Sequence, residues 1–131
     1  MNRRSNSPPQ PTTAELELLR VLWERGPSTV REVHDALAEQ KETGYTTTLK
    51  ILQKMAEKKL VVRDESHRSH VYQAAIKAER TQRQLVDQLL GQAFGGAVDQ
   101  LVMQALSIRK VDPDEIARLR QLLDQLEKKL P

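Results

Sequence analysis

The sequence predicts a mainly α fold with one small β-hairpin and a separate helical region toward the C-terminus. Three patterns predict it. Two Thr-x-x-Glu boxes, at Thr12 and Thr29, each precede an apolar run with helical spacing. After Lys59 the apolar period switches from three or four residues to two. From Ile116 onward, apolar residues recur as Leu119, Leu123, Leu126 and Leu130, at steps of three, four, three and four.

Residues 1 to 11 are rich in Ser, Pro, Asn and Arg and read as a disordered tail. Order is expected from Thr12, whose capping box with Glu15 opens a first helix with Leu16, Leu19, Leu22 and Trp23 on one stripe. Gly26-Pro27 ends it. Thr29 and Glu32 repeat the capping signal for a second helix with Val30, Val33 and Leu37 inward, ending before Gly44.

A third helix follows from about Tyr45, and it has two incompatible faces. Leu49, Leu52, Met55 and Ala56 share one apolar stripe, whereas Thr46, Thr47, Lys50, Gln53 and Lys54 supply hydroxyls, an amide and ammonium groups on the other side. The first set must pack against something. The second can hydrogen-bond base edges and neutralise phosphates. On its own it also matches an ordinary solvated helix face, and its neighbours decide between the two readings.

Val61 to Glu65 alternate, Ser66-His67-Arg68-Ser69 turn the chain, and His70-Val71-Tyr72-Gln73 return, which is a hairpin. Three short helices with a basic third, followed by a basic hairpin, make a winged helix-turn-helix: the third helix suits the major groove and the hairpin tip the backbone or the minor groove. Charge agrees. The net charge is only +3, from 21 basic and 18 acidic residues, yet residues 46 to 80 carry eight basic groups against four acidic. Thr46, Thr47 and Lys50 are expected near base edges, Lys54, Arg68 and the hydroxyls of Ser66 and Ser69 near phosphates, and Gln53 and, as a wing-tip contact, His67 complete the expected DNA-binding set.

A fourth helix is expected from about Ala78 through Leu85, Leu89 and Ala93, then a break at Gly95-Gly96 and a fifth helix with Val98, Leu101, Val102 and Ala105. Asp112-Pro113-Asp114-Glu115 combines an N-cap, a proline at the first helical position and a glutamate at the third, a strong start for the sixth. A single heptad seam this short is unstable alone and needs a packing surface. Its own fourth and fifth helices are one such surface and a second chain is the other. A helical piece of this size has little core of its own, which favours a homodimer through Leu101, Val102, Ile116, Leu119, Leu123 and Leu126. The organisation is therefore a tail over 1 to 11, a winged-helix DNA-binding domain over 12 to 76 and a C-terminal helical dimerisation region over 77 to 131. Such a dimer would read inverted half-sites.

Other classes have little support. Without cysteine there is neither a disulfide framework nor a thiolate metal site. His34 is distant in sequence from His67 and His70, which flank a turn, so no closed metal ligand set forms, and no cofactor is implied. No nucleophile, base and orienting group assemble into an enzyme site. Trp23 continues a core stripe, and four aromatic residues in all are too few for single-strand stacking. Gly91, Gly95 and Gly96 lack a following Gly-Lys-Ser/Thr, so they are not a phosphate loop. No apolar stretch suits a membrane span or signal peptide, so a cytoplasmic protein is expected. Two alternatives stay open: a winged helix that meets an acidic protein partner, and a regulator whose C-terminal helices hold a small effector.

Thr12-x-Ala14-Glu15-Leu16-Glu17, Val21-Leu22-Trp23, Tyr45-Thr46-Thr47, Leu52-Gln53-Lys54-Met55, Lys58-Lys59-Leu60-Val61 and His70-Val71-Tyr72 together resemble the BlaI/MecI/CopY family of bacterial repressors, over roughly residues 12 to 128. The resemblance implies a homodimeric winged-helix repressor of β-lactamase or other resistance and stress genes. It also implies a membrane-bound sensor peptidase as partner, which triggers cleavage of the repressor in its C-terminal part. Copper-responsive members carry a C-terminal cysteine cluster that this chain lacks. In the β-lactam branch the cut falls at Asn-Phe in the fifth helix, and the matching positions here are Gln104 and Ala105.

Overall fold

The computed structural model describes residues 10–131. Most of the expected tail, residues 1–9, therefore lies outside the described residues. Pro11, assigned to that tail, is buried, so packing begins one residue before Thr12.

The elements run α1 (Thr13–Arg25), β1 (Ser28–Thr29), α2 (Val30–Ala38), α3 (Tyr45–Glu57), β2 (Val61–Asp64), β3 (Val71–Ala74), α4 (Ala78–Phe94), α5 (Val98–Ile108) and α6 (Pro113–Lys128). Both expected capping boxes close. Thr12 Oγ1 accepts from the Glu15 N–H at 3.1 Å while Glu15 Oε1 accepts from the Thr12 N–H at 2.9 Å, and Thr29 and Glu32 repeat the pattern at the same distances. Each box satisfies donors that the first helical turn leaves without partners.

The sheet has three antiparallel strands in the order β1-β3-β2. The hairpin β2–β3 stands where the period-two pattern placed it, with Val61 opposite Ala74 and Asp64 opposite Val71. Strand β1 was not expected: Ser28 and Thr29 pair with Tyr72 and Val71. Two residues are too few to show a period, and Thr29 already carried a helix-capping signal. The strand ties the tip-side end of β3 to the start of α2.

The chain divides into two compact units, up to Leu85 and from Val86 to Pro131. The boundary between the units falls inside α4, whose first half carries the buried Thr81. The core of the first unit joins Leu18, Leu19 and Leu22 of α1, Val30, Val33 and Leu37 of α2, Leu52 and Met55 of α3, and Leu60, Val61 and Tyr72 from the wing. Burying each such side chain contributes roughly 1.5–3 kcal/mol before entropy is counted. The buried stripe of α1 is Glu15, Leu18, Leu19 and Leu22, whereas Leu16 and Trp23 are half-buried. The stripe is rotated from the expected one because Glu15, polar but buried, faces α3. Trp23 packs against the core and its Nε1 donates to the Ile76 carbonyl at 2.9 Å.

In the second unit, α6 begins with the expected capping box, Asp112 Oδ1 accepting from the Asp114 N–H at 2.9 Å and Glu115 Oε1 from the Asp112 N–H at 3.1 Å. Neither α5 nor α6 contains a fully buried residue. Leu106, Val111, Ile116, Leu119 and Leu123 line an apolar cleft of about 550 Å³ with Arg109, Lys110 and Arg120 at its edge. No helix among the described residues is long and apolar enough to cross a membrane.

Candidate nucleic-acid interface

Helix α3 divides as its sequence requires. Thr48, Leu52 and Met55, four and three residues apart, are buried against the core. Thr46, Thr47, Lys50, Gln53 and Lys54 are all exposed. Lys50 and Lys54 make no ion pair among the described residues, so their charge is available to an outside anion. The N-cap of α3 is Gly44, which provides no side-chain acceptor, so the first turn of α3 has no capping side chain.

The helix ends in a Schellman motif. The Leu60 N–H reaches the Met55 carbonyl at 2.9 Å and the Lys59 N–H reaches the Ala56 carbonyl at 3.1 Å. Lys59 takes the left-handed conformation this requires, φ 66°. That turn aims the chain from α3 directly into β2 and so positions the wing beside the exposed face.

The wing tip, Glu65 to His70, is exposed throughout. Ser66 donates to Asp64 Oδ1 through both its N–H, at 2.9 Å, and its hydroxyl, at 2.7 Å. These bonds, the hydroxyl's first, hold the Asp64 carboxyl below its usual value. The Ser66 proton is thus engaged within the turn, and Ser66 serves to shape the tip. Arg63 pairs with Glu65 at 2.6 Å, and its pKa is raised by a hydrogen bond to Tyr72 and then by Glu65. Arg68 and Ser69 have no hydrogen bond or ion pair among the described residues.

The basic segment is therefore smaller in effect than its count. Lys58, which the charge tally included, turns inward: its Nζ lies 3.0 and 2.8 Å from the two carboxylate oxygens of Glu15. Sequence reasoning also missed two residues of this face. Arg31, exposed on the first turn of α2, has its Cζ 4.8 Å from the centre of the Tyr45 ring, and His34 meets the same ring edge-on at 5.9 Å. Arg31 lies outside the segment where basic charge was counted, and Tyr45 was read as a helix start and as part of the family resemblance, with no contact to Arg31. Spacing alone gave no signal that the two meet.

His67 and His70 are exposed on the wing, His34 lies on α2, and among the described residues no group of three or more histidines and carboxylates is placed to hold a metal ion. On α5, Leu101 is half-buried and Val102, Gln104 and Ala105 are exposed; on α6, Ile116, Leu123 and Leu126 are exposed and Leu119 is half-buried.

Three helices packed on a three-stranded wing, with an exposed polar and basic third helix, define a winged helix-turn-helix protein. The sequence model of the penicillinase repressor family matches residues 11–125. The chain is 36% identical over 110 residues to a transcriptional regulator BlaI of Mycobacterium tuberculosis, covering 81% of this chain and 77% of that protein. It is 22% identical over 116 residues to a penicillinase repressor of Staphylococcus aureus, covering 88% and 92%. Among solved structures, the DNA-binding domain of the repressor BlaI superposes with a TM-score of 0.51 at 24% identity, over 58% of this chain and 93% of that one. The monomeric form of Bacillus licheniformis BlaI in complex with the blaP half-operator gives 0.50 at 24% identity, over 56% and 90%. These structural likenesses bear on the fold alone. This chain belongs to the penicillinase repressor family, as its quoted motifs anticipate.

Proposed function

We propose that this protein is a transcriptional repressor that binds an inverted-repeat operator in duplex DNA as a homodimer. The observation that carries the reading is the exposed face of α3: Thr46, Thr47, Lys50 and Gln53 stand side by side, with Lys54 and the wing's Arg68 flanking them. In this reading the threonines, Lys50 and Gln53 meet base edges, while Lys54 and Arg68 meet phosphates and set the register. The exposed apolar residues of α5 and α6, Val102, Ile116, Leu123 and Leu126 among them, support self-association, because a patch of that kind is rarely left to water. Two linked winged helices gain affinity from effective concentration, and an isologous pair reads two half-sites in inverted order.

Family membership supports control of β-lactamase or other resistance and stress genes, with release by a membrane-bound sensor peptidase that cuts near Gln104 and Ala105. Both residues are exposed on α5, so a protease reaches them once that helix unwinds. Recovery of an intact chain after incubation with the protease domain of a cognate sensor under inducing conditions overturns this part of the proposal.

The test of the whole is fluorescence anisotropy of the full-length protein with the DNA upstream of its own gene and with a scrambled duplex, across a salt series. A preference of roughly a thousandfold or more for the upstream duplex, with a steep salt slope, is the expected result. Weak binding that is equal for both removes the operator from that site and moves the basic face to an acidic protein partner.

A further inference from the structure

Resting on the DNA reading above, a second feature of the same face points to a site that the exposed residues of α3 do not explain. Between the first turn of α2, helix α3 and the wing lies a cleft of about 280 Å³ lined by Arg31, Tyr45, Gln53, Arg63, Arg68 and His70, among others, and by no acidic residue. Three arginines thus line one small concavity. Arg63 is engaged with Glu65 and Tyr72. Arg31 and Arg68 have no ion pair among the described residues.

Arg31 is held against an aromatic ring. Its guanidinium lies 4.8 Å from the centre of the Tyr45 ring, and that ring is backed edge-on by His34 at 5.9 Å with an interplanar angle of 72°. Stacking on an aromatic face leaves the in-plane N–H donors of a guanidinium free, and these are the donors that match the oxygens of a phosphate. Tyr45 is also the first residue of α3, next to the uncapped Gly44, so the stack brings the Arg31 charge to the positive end of that helix. The second arginine reaches the cleft from the wing.

We infer that this cleft is a phosphodiester clamp, in which Arg31, presented by the Tyr45 ring, and Arg68 hold one backbone phosphate of the duplex from the α2 side and the wing side. A phosphate held between two elements fixes how far α3 turns in the groove but carries no base information. Arg31 is then a positioning residue: it sets the register in which Thr46, Thr47 and Lys50 meet the bases.

The experiment is a salt series by anisotropy with the full-length protein on two duplexes, the upstream DNA and a mixed-sequence duplex. It compares wild type with Arg31→Ala, Arg31→Lys, Tyr45→Leu and Arg20→Ala. Arg20, paired with Glu24 on α1, is the control for an equal change of charge. Arg31→Ala is expected to weaken binding to both duplexes by about the same factor, roughly tenfold, and to lower the salt slope by about one. Arg31→Lys keeps the slope and still weakens both, because an ammonium cannot stack and bridge two oxygens as a guanidinium does. Tyr45→Leu, with charge unchanged, weakens both as well. A slope for Arg31→Ala no lower than that of Arg20→Ala overturns the clamp while leaving the DNA reading intact. A loss confined to the upstream duplex overturns the phosphate assignment in favour of a base contact. Wild type that binds neither duplex overturns the DNA reading and the clamp with it. Circular dichroism of each variant establishes that the fold is kept.

Discussion

Lys58 and Glu15 form a part-buried ion pair that joins the end of α3 to the start of α1, with Lys58 Nζ 3.0 and 2.8 Å from the two carboxylate oxygens. Glu15 is only 3% exposed, and the same carboxylate closes the capping box on Thr12. One side chain therefore fastens the N-terminus of α1 and receives the C-cap residue of the helix that carries the candidate interface. Burial by itself would raise the Glu15 pKa. The Lys58 and Thr12 hydrogen bonds outweigh it and hold the carboxyl below its ordinary value of 4.5.

The expected consequence is a loss of stability on Glu15→Gln of about 2 kcal/mol at neutral pH, since the amide leaves Lys58 partly desolvated without its counter-charge. Urea denaturation measures it. The pH dependence has a definite sign. A carboxyl whose folded pKa is depressed contributes fully above its unfolded value and loses that contribution as pH falls through the folded one. The gap between wild type and Glu15→Gln should accordingly be constant from neutral pH down to about 4.5 and close below it. A gap that widens on acidification contradicts the pairing.

A second prediction concerns the turn that aims the wing. Lys59 holds φ 66°, a conformation that disfavours a residue with a Cβ by roughly 1–2 kcal/mol. Lys59→Gly removes that strain and adds unfolded-state entropy worth about 0.5–1 kcal/mol. The net expectation is a gain of up to about 1 kcal/mol, seen as a rise in Tm of a few degrees. Lys59→Val, β-branched in a left-handed position, should lower it. If the glycine variant melts below the wild type, the lysine side chain makes a contribution that outweighs its backbone strain.

How much of this was legible in the sequence depended on whether the signal was local. The capping boxes at Thr12, Thr29 and Asp112 each span four residues and formed as read. The hairpin, visible as a change of period, likewise stood where expected. What escaped came from residues far apart in the chain. Lys58 was counted as outward-facing charge because nothing near it announced Glu15, 43 positions away. Arg31 and Tyr45 meet only because α2 packs on α3, and β1 exists only because β3 is there to pair with it. Residue types named the face of α3, and only packing revealed which of the neighbouring charges are free to act on it.

Helix α3 and the wing should separate in their effects on DNA. Lys50 is exposed beside Thr46 and Thr47 on α3, the proposed base-reading face, whereas Arg68 is exposed on the wing. Lys50→Ala is expected to cost about 1–3 kcal/mol on the operator and to alter sequence preference. Arg68→Ala should weaken binding to operator and random duplex alike and reduce the salt slope by about one. Anisotropy titrations on both duplexes distinguish the two. Equal losses on both DNAs for both variants would erase the division of labour.

The apolar side of α6 gives the last prediction. Ile116, Leu123 and Leu126 are 41%, 61% and 50% exposed, on a 16-residue helix too short to hold its shape well by backbone bonding alone. Water is a poor environment for such a row, and a second copy of the same row is a self-complementary cover. Leu123→Asp places a charge at the centre of that contact, where desolvation without a partner costs several kcal/mol. The variant should sediment as a monomer at concentrations where the wild type, on the proposed reading, forms a dimer. Its first unit should keep the same melting behaviour, because the core from Leu18 to Tyr72 lies entirely in residues up to Leu85. Operator affinity should fall by about a hundredfold or more as the gain from linking two half-site readers is lost, while binding to an isolated half-site stays near the wild-type value. A variant that remains dimeric places the subunit contact elsewhere. One that becomes monomeric and still binds the full operator as tightly as wild type shows that linkage of two winged helices is not the source of affinity.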